Sequence, residues 1–242
     1  SSRLVDVVKA HAIDVLHVHY AIPHAYAGYM AKKMLTDDGF HIPIVTTLHG
    51  TDITLVGSHP FYRPAVTFSI NHSDKVTAVS KSLKNDTLRL FDITTKIDVI
   101  TNFIDIKKIE AKVMPCKRDL LAPKSHKIIT HISNFRPLKR IQDVIKIFEK
   151  ILPTVPSKLL MVGEGPEKQK AMDYVKKNGL TESISFLGNS NEIDKILCYS
   201  DLFLLPSEKE SFGLSALEAM ANKVPVISSN AGGIPEVNKQ GV

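Results

Sequence analysis

The chain has 242 residues, of which 43% are hydrophobic and 23% are charged, the composition of an ordinary globular protein. Its net charge of +6 could suit nucleic acid or an anionic membrane surface, but the lysines alternate with acidic residues and tryptophan is absent. We therefore predict no nucleic-acid partner. No run of about 18 apolar residues occurs, so we predict no membrane span. Cys116 and Cys198 are expected to be reduced thiols, and the location cytoplasmic.

Strand-like and helical patterns alternate along the chain, which predicts the α/β class with parallel sheets built from βαβ units. In the first half, helices are predicted at 1–11, 25–35, 64–71 and 82–90, and strands at 13–18, 44–48, 75–79 and 98–100. In the second half, strands are predicted at 127–132, 158–162, 184–187, 201–205 and 225–228, and helices at 141–152, 166–177, 192–199 and 213–222. Periodicity weakens between 105 and 125, so we predict domains at 1–106 and 107–242.

Two carboxylates, Glu210 and Glu218, stand eight positions apart around the start of a predicted helix. The backbone N–H groups of Phe212, Gly213 and Leu214 would form the N-terminus of that helix, which attracts phosphate. Acids on both sides of a phosphate site suit a ligand with hydroxyl-bearing rings on both sides of a phosphate, such as a nucleotide sugar. The alternative is a structural ion pair or a helix-capping acid.

The same helix is predicted to bury the face that carries Leu214, Leu217 and Ala221, which recur at helical spacing. Glu218 lies four residues after Leu214 and is therefore expected on that inward face. A carboxylate there is costly unless a polar group pairs with it.

Further polar residues follow predicted strands, where ligands of parallel sheets bind. His49 follows the strand at 44–48, although a surface histidine at a turn is the alternative. Arg136 and Lys139 follow the strand at 127–132 and could neutralise a diphosphate leaving group, or could belong to a solvated basic turn. Gly163 is expected to allow a tight turn that lines a nucleotide cleft.

A histidine-rich segment follows the first predicted strand. His17 and His19 alternate on that strand, and we expect their side chains to point to opposite faces, which makes them a poor set of metal ligands. Tyr20 and His24 could reach an acceptor or could equally be core or rim residues. We predict no metal site.

The segment from Glu210 to Glu218 resembles the E-x7-E signature of retaining glycosyltransferases of family 4, which have the GT-B architecture of two Rossmann-like domains. Similar blocks follow in the family's order at 162–167, 218–221, 224–228 and 232–236. Blocks at 17–24, 47–53, 102–105 and 133–136 look most like the subgroup that glycosylates malate in bacillithiol biosynthesis. The resemblance covers nearly the whole chain. Against this family, the first domain is expected to lack its opening strand and the second its last helices.

The resemblance implies transfer of N-acetylglucosamine from UDP-N-acetylglucosamine to L-malate, with retention and with no metal or other cofactor. It implies that His49 contacts the donor sugar near the reacting carbon and that Glu210 and Glu218 bind sugar and ribose hydroxyls. Lys139 matches the family's phosphate lysine, and Arg136 would replace the arginine that the family has at Asn134. The predicted site residues form three groups. The catalytic group is His49, Arg136, Lys139 and Glu210, and the acceptor-binding group is Tyr20, Thr51 and Arg63. The donor-binding group is Asn102, Asn134, Gly163, Leu187, Ser211, Phe212, Gly213, Leu214 and Glu218.

Other functions remain open from the sequence. The chain could be a family-4 enzyme with another donor or with a lipid or polysaccharide acceptor. It could also be a non-catalytic module that binds a nucleotide sugar. Assembly into a homo-oligomer is compatible with either.

Overall fold

Two parallel sheets organise the chain in the computed structural model, which describes residues 1–57, 59–110, 118 and 121–241. The fold divides into an N-terminal unit, Ser1–Asn102, and a C-terminal unit, Phe103–Val242. All strand pairs in both sheets are parallel, which confirms the α/β class. No helix among the described residues is long and apolar enough to cross a membrane.

The N-terminal unit contains a four-stranded sheet in the order β1-β2-β3-β4. Its strands are β1 (Leu16–His19), β2 (Ile44–Leu48), β3 (Lys75–Ala78) and β4 (Ile97–Val99). Its helices are α1 (Ser2–His11), α2 (Tyr26–Asp37), α3 (Arg63–Asn71) and α4 (Lys81–Leu90). Two short helical turns, Ala21–Ala25 and Thr51–Leu55, follow β1 and β2 directly.

The C-terminal unit contains a five-stranded sheet in the order β7-β6-β5-β8-β9. Its strands are β5 (Lys127–Ile132), β6 (Ser157–Val162), β7 (Ile184–Gly188), β8 (Leu202–Leu205) and β9 (Val226–Ser228). Its helices are α5 (Ile106–Glu110), α6 (Ile141–Ile151), α7 (Lys168–Lys177), α8 (Ile193–Tyr199), α9 (Leu214–Ala221) and α10 (Ile234–Val237). The chain moves outward from β5 to β7 and then returns to pair β8 with β5. Strand order therefore reverses at β5, where doubly wound sheets open a crevice.

The core of the C-terminal unit fixes the loop that follows β5. Phe135 in this loop and Phe148 of α6 are fully buried in one apolar cluster with β5 and β6 residues. The Phe135 amide donates to the carbonyl of Glu164, which follows β6, over 2.8 Å. Burial and this hydrogen bond hold the loops after β5 and β6 together.

The structure differs from the sequence-based predictions in three respects. The first strand begins at Leu16 rather than at Ile13, because Ile13 and Val15 are 37% and 45% exposed and β1 pairs with β2 only from Leu16 onward. The short helices α5 and α10 were not predicted. Cys198 is disulfide-bonded, whereas a reduced thiol was expected. The expectation failed because two cysteines far apart in the sequence can be close in the folded chain. Cys116 lies outside the described residues.

The predicted inward face of α9 is also wrong. Ala216 and Ala219 are fully buried, whereas Leu214 is 40% exposed. Two alanines three positions apart lie on one side of a helix and let it approach the sheet closely. Leu214 and Glu218 therefore lie on the side of α9 that faces the cavity described next.

Candidate active site

A cavity of about 730 Å³ lies at the carboxyl ends of the strands of the C-terminal unit. The loops after β5, β6, β7 and β8 all contribute to its wall, together with the first turns of α8 and α9. This is the position where open parallel sheets bind ligands, because strand order reverses here. The lining residues are Ile132, Ser133, Asn134, Lys139, Val162, Gly163, Asn189, Ser190, Asn191, Ile193, Glu210, Leu214, Ser215 and Glu218.

Six predicted site residues lie in this wall: Asn134, Lys139, Gly163, Glu210, Leu214 and Glu218. Four residues predicted beside them do not belong to it: Leu187, Ser211, Phe212 and Gly213. Leu187 is exposed within β7, and the neighbouring Asn189 lines the cavity instead. Phe212 and Gly213 are buried behind the start of α9. Arg136 is exposed and is also absent from the described lining.

Lys139 and Glu210 form an ion pair across the cavity, between the loops that follow β5 and β8. The two side chains are only 15% and 12% exposed. Ser207, which is fully buried, also donates to Glu210 Oε1 over 3.1 Å. The carboxylate that the sequence suggested as a ligand for hydroxyls is therefore anchored by one cation and one hydroxyl.

Glu218 lies one turn into α9 and projects into the same cavity. Burial raises the pKa of its carboxyl, and the charge of Asp194 raises it further. A half-buried acid next to another acid is stabilised by a ligand that donates hydrogen bonds. The hydroxyls of a ribose are donors of this kind.

The floor of the cavity requires glycine at position 163. Gly163 has a φ of +129°, and a Cβ at this position would lie 1.8 Å from the carbonyl oxygen of Ser133. Any side chain would therefore push the loops after β5 and β6 apart. Gly213, at a φ of +93°, similarly allows the turn that begins α9.

In the N-terminal unit, His19 and His49 meet at the carboxyl ends of β1 and β2. Nδ1 of His19 and Nε2 of His49 are 2.8 Å apart, so one nitrogen donates and the other accepts. The Tyr20 ring lies 4.9 Å from the His49 ring, centroid to centroid. Burial lowers the pKa of His49, and the neighbouring His19 lowers it further. The pKa of His19 is lowered by burial and by His17 and His24.

The expectation that His17 and His19 face opposite ways is wrong. Their ring centroids are 4.6 Å apart. Residues two positions apart on a strand share a face, because side chains alternate with a period of two. Among the described residues, no group of three or more histidines, cysteines or acids has the arrangement of a metal site.

Asp52 connects the two loops that carry these rings. Its carboxylate is 2% exposed and accepts hydrogen bonds from the amides of Ala21 at 2.8 Å and Gly50 at 2.9 Å, with a longer one of 3.4 Å from His49. Burial raises the pKa of this carboxyl, while the backbone donors act in the opposite direction. One buried side chain thus fixes the backbone on both sides of His49.

The remaining predicted residues of the N-terminal unit are more dispersed. Thr51 opens the turn after β2 and is exposed, and Asn102 is half-buried at the end of the unit. Arg63 begins α3 and lies 5.9 Å from the ring centroid of Phe91. It lines a separate cavity of about 590 Å³ that also contains Asp92 and, among the described residues, neither Tyr20 nor Thr51.

Sequence reasoning missed several residues that the fold brings to the larger cavity. Ser133, Ser215, Asn189 and Asn191 line it, and none belongs to the predicted set of site residues. Ser133 carried one available signal, because it comes two residues after His131, a histidine between apolar residues of a predicted strand. The asparagines carried none, since surface asparagines are common in turns.

Comparison with known proteins places the chain among glycosyltransferases. The family model described as glycosyl transferases group 1 matches residues 116–242, and the glycosyltransferase family 4 model matches residues 1–108. N-acetyl-alpha-D-glucosaminyl L-malate synthase of Bacillus anthracis is 47% identical over 242 residues, which cover 100% of this chain and 63% of that protein. Glycogen synthase of Mycobacterium tuberculosis is 26% identical over 244 residues, covering 96% of this chain and 53% of the enzyme.

Solved structures give the same fold. Anabaena Alr3699/HepE in complex with UDP and glucose has a TM-score of 0.84 and 22% identity to this chain, covering 100% of it and 65% of the Anabaena chain. The chain spans less than two thirds of the length of each of these relatives. The two parallel-sheet units are those of the GT-B class. Since the group 1 model alone matches more than half of the residues, the chain belongs to the group 1 glycosyl transferases, with an N-terminal part of the glycosyltransferase family 4 type.

Proposed function

We propose that the protein transfers N-acetylglucosamine from UDP-N-acetylglucosamine to L-malate, with retention of the anomeric configuration, in bacillithiol biosynthesis. The observation that carries the donor half is the cavity in which Lys139, Glu210 and Glu218 meet at the switch point of the C-terminal sheet. The acceptor half rests on the name of the Bacillus anthracis relative and its 47% identity. The substrates and the stereochemistry are part of this proposal, in addition to the family membership given above.

In this proposal the cavity binds the donor through complementary charges. The Lys139 ammonium neutralises charge that develops on the departing diphosphate, together with the first amides of α9. Glu218 accepts hydrogen bonds from the ribose, which favours binding because burial makes the charged carboxylate costly. We propose that the reaction needs no metal and that Lys139 and these amides compensate the negative charge of the diphosphate.

Glu210 is proposed to bind the donor sugar and not to attack it. Its carboxylate is engaged by both Lys139 and Ser207, which lowers the availability of its lone pairs to a carbon electrophile. The same engagement fixes the direction of its remaining acceptor positions toward the cavity. Sugar hydroxyls are the donors that those positions suit.

His49 is proposed to orient the donor sugar, with Tyr20, Thr51 and Arg63 as acceptor ligands. Support comes from the convergence of His49 and Tyr20 at the ends of β1 and β2. Arg63 lines a separate cavity of the same unit together with Asp92.

Calorimetry with UDP and with UDP-N-acetylglucosamine tests the donor site directly. Glu218→Ala is expected to weaken UDP binding by roughly tenfold, because it removes charge-assisted hydrogen bonds to the ribose. Glu208→Ala is the matched control, since Glu208 is 68% exposed, pairs with Arg140 and lies outside the described lining of the cavity. Absence of UDP binding, or equal binding by the Glu218 variant, contradicts the donor assignment.

The acceptor is tested by measuring UDP release with and without L-malate. Malate-dependent release is expected, and the product should be glycosylated on the malate hydroxyl with the α configuration. Release that is independent of malate but requires a lipid or a saccharide would contradict this acceptor while leaving the donor site intact.

A further inference from the structure

His131 is a buried ionisable group that the proposed reaction does not use. It lies within β5, is fully buried, and makes a hydrogen bond through each ring nitrogen. Nδ1 is 2.8 Å from the carbonyl oxygen of Leu204 in β8, and Nε2 is 2.7 Å from the hydroxyl oxygen of Ser133. Burial lowers the pKa of this ring to about 4, and the charge of Lys139 contributes in the same direction, so the ring is neutral near neutral pH.

These contacts fix the polarity of the hydrogen bonds. A carbonyl oxygen can only accept, so Nδ1 of His131 carries the proton and donates to Leu204. A neutral imidazole has one proton, which leaves Nε2 as an acceptor. The Ser133 hydroxyl must therefore donate its single proton to Nε2.

The consequence lies in the cavity, whose wall includes Ser133. The Ser133 amide donates to the Val162 carbonyl over 3.1 Å, and its own carbonyl is in contact with Gly163, so the backbone of this residue is fixed. With its proton committed to His131, the hydroxyl oxygen can offer only lone pairs to a ligand. Phosphate oxygens, which also offer only lone pairs, are excluded as its partner.

We infer that Ser133 is a specificity-determining residue that accepts a hydrogen bond from a hydroxyl or N–H group of the bound nucleotide sugar, with its polarity set by the buried His131. This inference rests on the proposed function for the identity of the ligand. It divides the cavity by chemistry: Ser133, Glu210 and Glu218 offer acceptors to hydroxyls, and Lys139 offers a donor to phosphate.

The polarity is tested by nitrogen-15 NMR of the histidine rings in the intact chain. His131 is expected to show a protonated Nδ1 and an unprotonated Nε2 throughout the range from about pH 7 to about pH 5, because its pKa is about 4. A ring protonated at Nε2, or one doubly protonated near neutral pH, overturns the inference without bearing on donor binding.

The use of Ser133 is tested by calorimetry with UDP and UDP-N-acetylglucosamine on Ser133→Ala and Ser133→Cys. The thiol of the cysteine variant can still donate to His131 but is a poor acceptor, so it preserves the buried hydrogen bond. Both variants are expected to weaken binding by about threefold to tenfold, the size of one net hydrogen bond. A loss confined to UDP-N-acetylglucosamine assigns a hydroxyl or the acetamido N–H of the sugar, and an equal loss for both ligands assigns a nucleoside group.

Ser157→Ala is the matched control. Ser157 is 2% exposed, begins β6 at the end of the strand away from the cavity, and donates to the Val155 carbonyl. It should reproduce any general loss of stability without changing affinity. Unchanged affinity of the Ser133→Cys variant for both ligands overturns the inference. Failure of the unmodified chain to bind either ligand instead contradicts the proposed function.

Discussion

At the scale of single residues, the ion pair of Lys139 and Glu210 determines the charge of the cavity before any ligand binds. A largely buried pair is close to neutral, so the one lysine in the described wall is not fully available to an incoming anion. When a diphosphate binds, either Lys139 moves partly away from Glu210, or the phosphates are repelled by the nearby Glu210 carboxylate. The donor sugar compensates for that cost if its hydroxyls bind the carboxylate, whereas free UDP has no sugar to do so.

We therefore predict that Glu210→Gln binds UDP more tightly, by about tenfold, because a negative charge near the phosphates is removed. The preference for UDP-N-acetylglucosamine over UDP should fall in the same variant. Calorimetry with both ligands measures the two changes. Glu208→Gln, which removes an exposed charge two residues away, should leave both affinities unchanged. Weaker binding of UDP by the Glu210 variant would contradict the prediction.

The pair of His19 and His49 gives a second prediction at this scale. The two rings share a hydrogen bond of 2.8 Å, and protonation of both at once would place two charges in contact. Burial and this neighbour lower the pKa of His49, so it is protonated at a lower pH than an isolated histidine. His19→Gln should raise the pKa of His49, as followed by NMR titration. His41→Gln, at an exposed position before β2, is the control and should leave it unchanged.

At the scale of elements, periodicity predicted most strands and helices because buried parallel strands are short apolar runs between polar loops. The strands at 44–48 and 127–132 have the bounds that the sequence indicated. The same reasoning failed where tertiary context decides. Ile13 and Val15 have strand-forming side chains, but no strand pairs with them, and α10 has only four residues, too few to show a period.

The candidate site was predictable to a similar extent. Residues that follow strands were found because chain order alone places them at one edge of the sheet. Ser133, Ser215 and Asn191 were missed, since their role depends on the direction of individual side chains. The inward face of α9 was misassigned because leucine was assumed to be buried in preference to alanine. The direction of the hydrogen bond between His131 and Ser133 could not be predicted either, because it depends on the Leu204 carbonyl of β8, more than seventy residues further along the chain.

The corrected orientation of α9 leads to a prediction about stability. Ala219→Leu should lower the free energy of unfolding by about 1–3 kcal/mol, because it overpacks a fully buried position. Leu214→Ala should change it by less than about 1 kcal/mol, since Leu214 is 40% exposed. Urea denaturation followed by circular dichroism measures both. If Leu214→Ala proves more destabilised than Ala219→Leu, the face assigned by the structure is wrong.

At the scale of the whole molecule, both units join two neighbouring strands through an aspartate that pairs with a basic side chain. Asp74, just before β3, accepts from the Ile44 amide of β2 over 2.6 Å and pairs with Lys32. Asp201, just before β8, accepts from the Ile128 amide of β5 over 2.8 Å and pairs with Arg118. In each unit a carboxylate at the amino end of one strand thus binds the neighbouring strand, at the end of the sheet opposite the candidate site.

Burial alone would raise the pKa of both carboxyls, but the cation and the amide that bind each one outweigh it, so both pKa values are lowered below 3.8. A lowered pKa in the folded state means that the unfolded chain binds a proton more readily. The stabilisation by each carboxylate is therefore complete above the unfolded value and is lost as the pH falls through the folded one. Acid should weaken both units at this end of their sheets first.

We predict that Asp74→Asn accelerates amide hydrogen exchange in β2, and Asp201→Asn accelerates it in β5, each by about threefold to tenfold near neutral pH. The effect should fade as the pH falls through the lowered pKa of each carboxyl, since the unmodified carboxylates then lose their charge as well. Mass spectrometry of peptides from each strand follows the two units separately. Asp6→Asn, on the exposed face of α1, is the control. Because each carboxylate binds only strands of its own unit, equal acceleration in both sheets by a single variant would show that the units unfold together and not as the separate bodies that their internal contacts define.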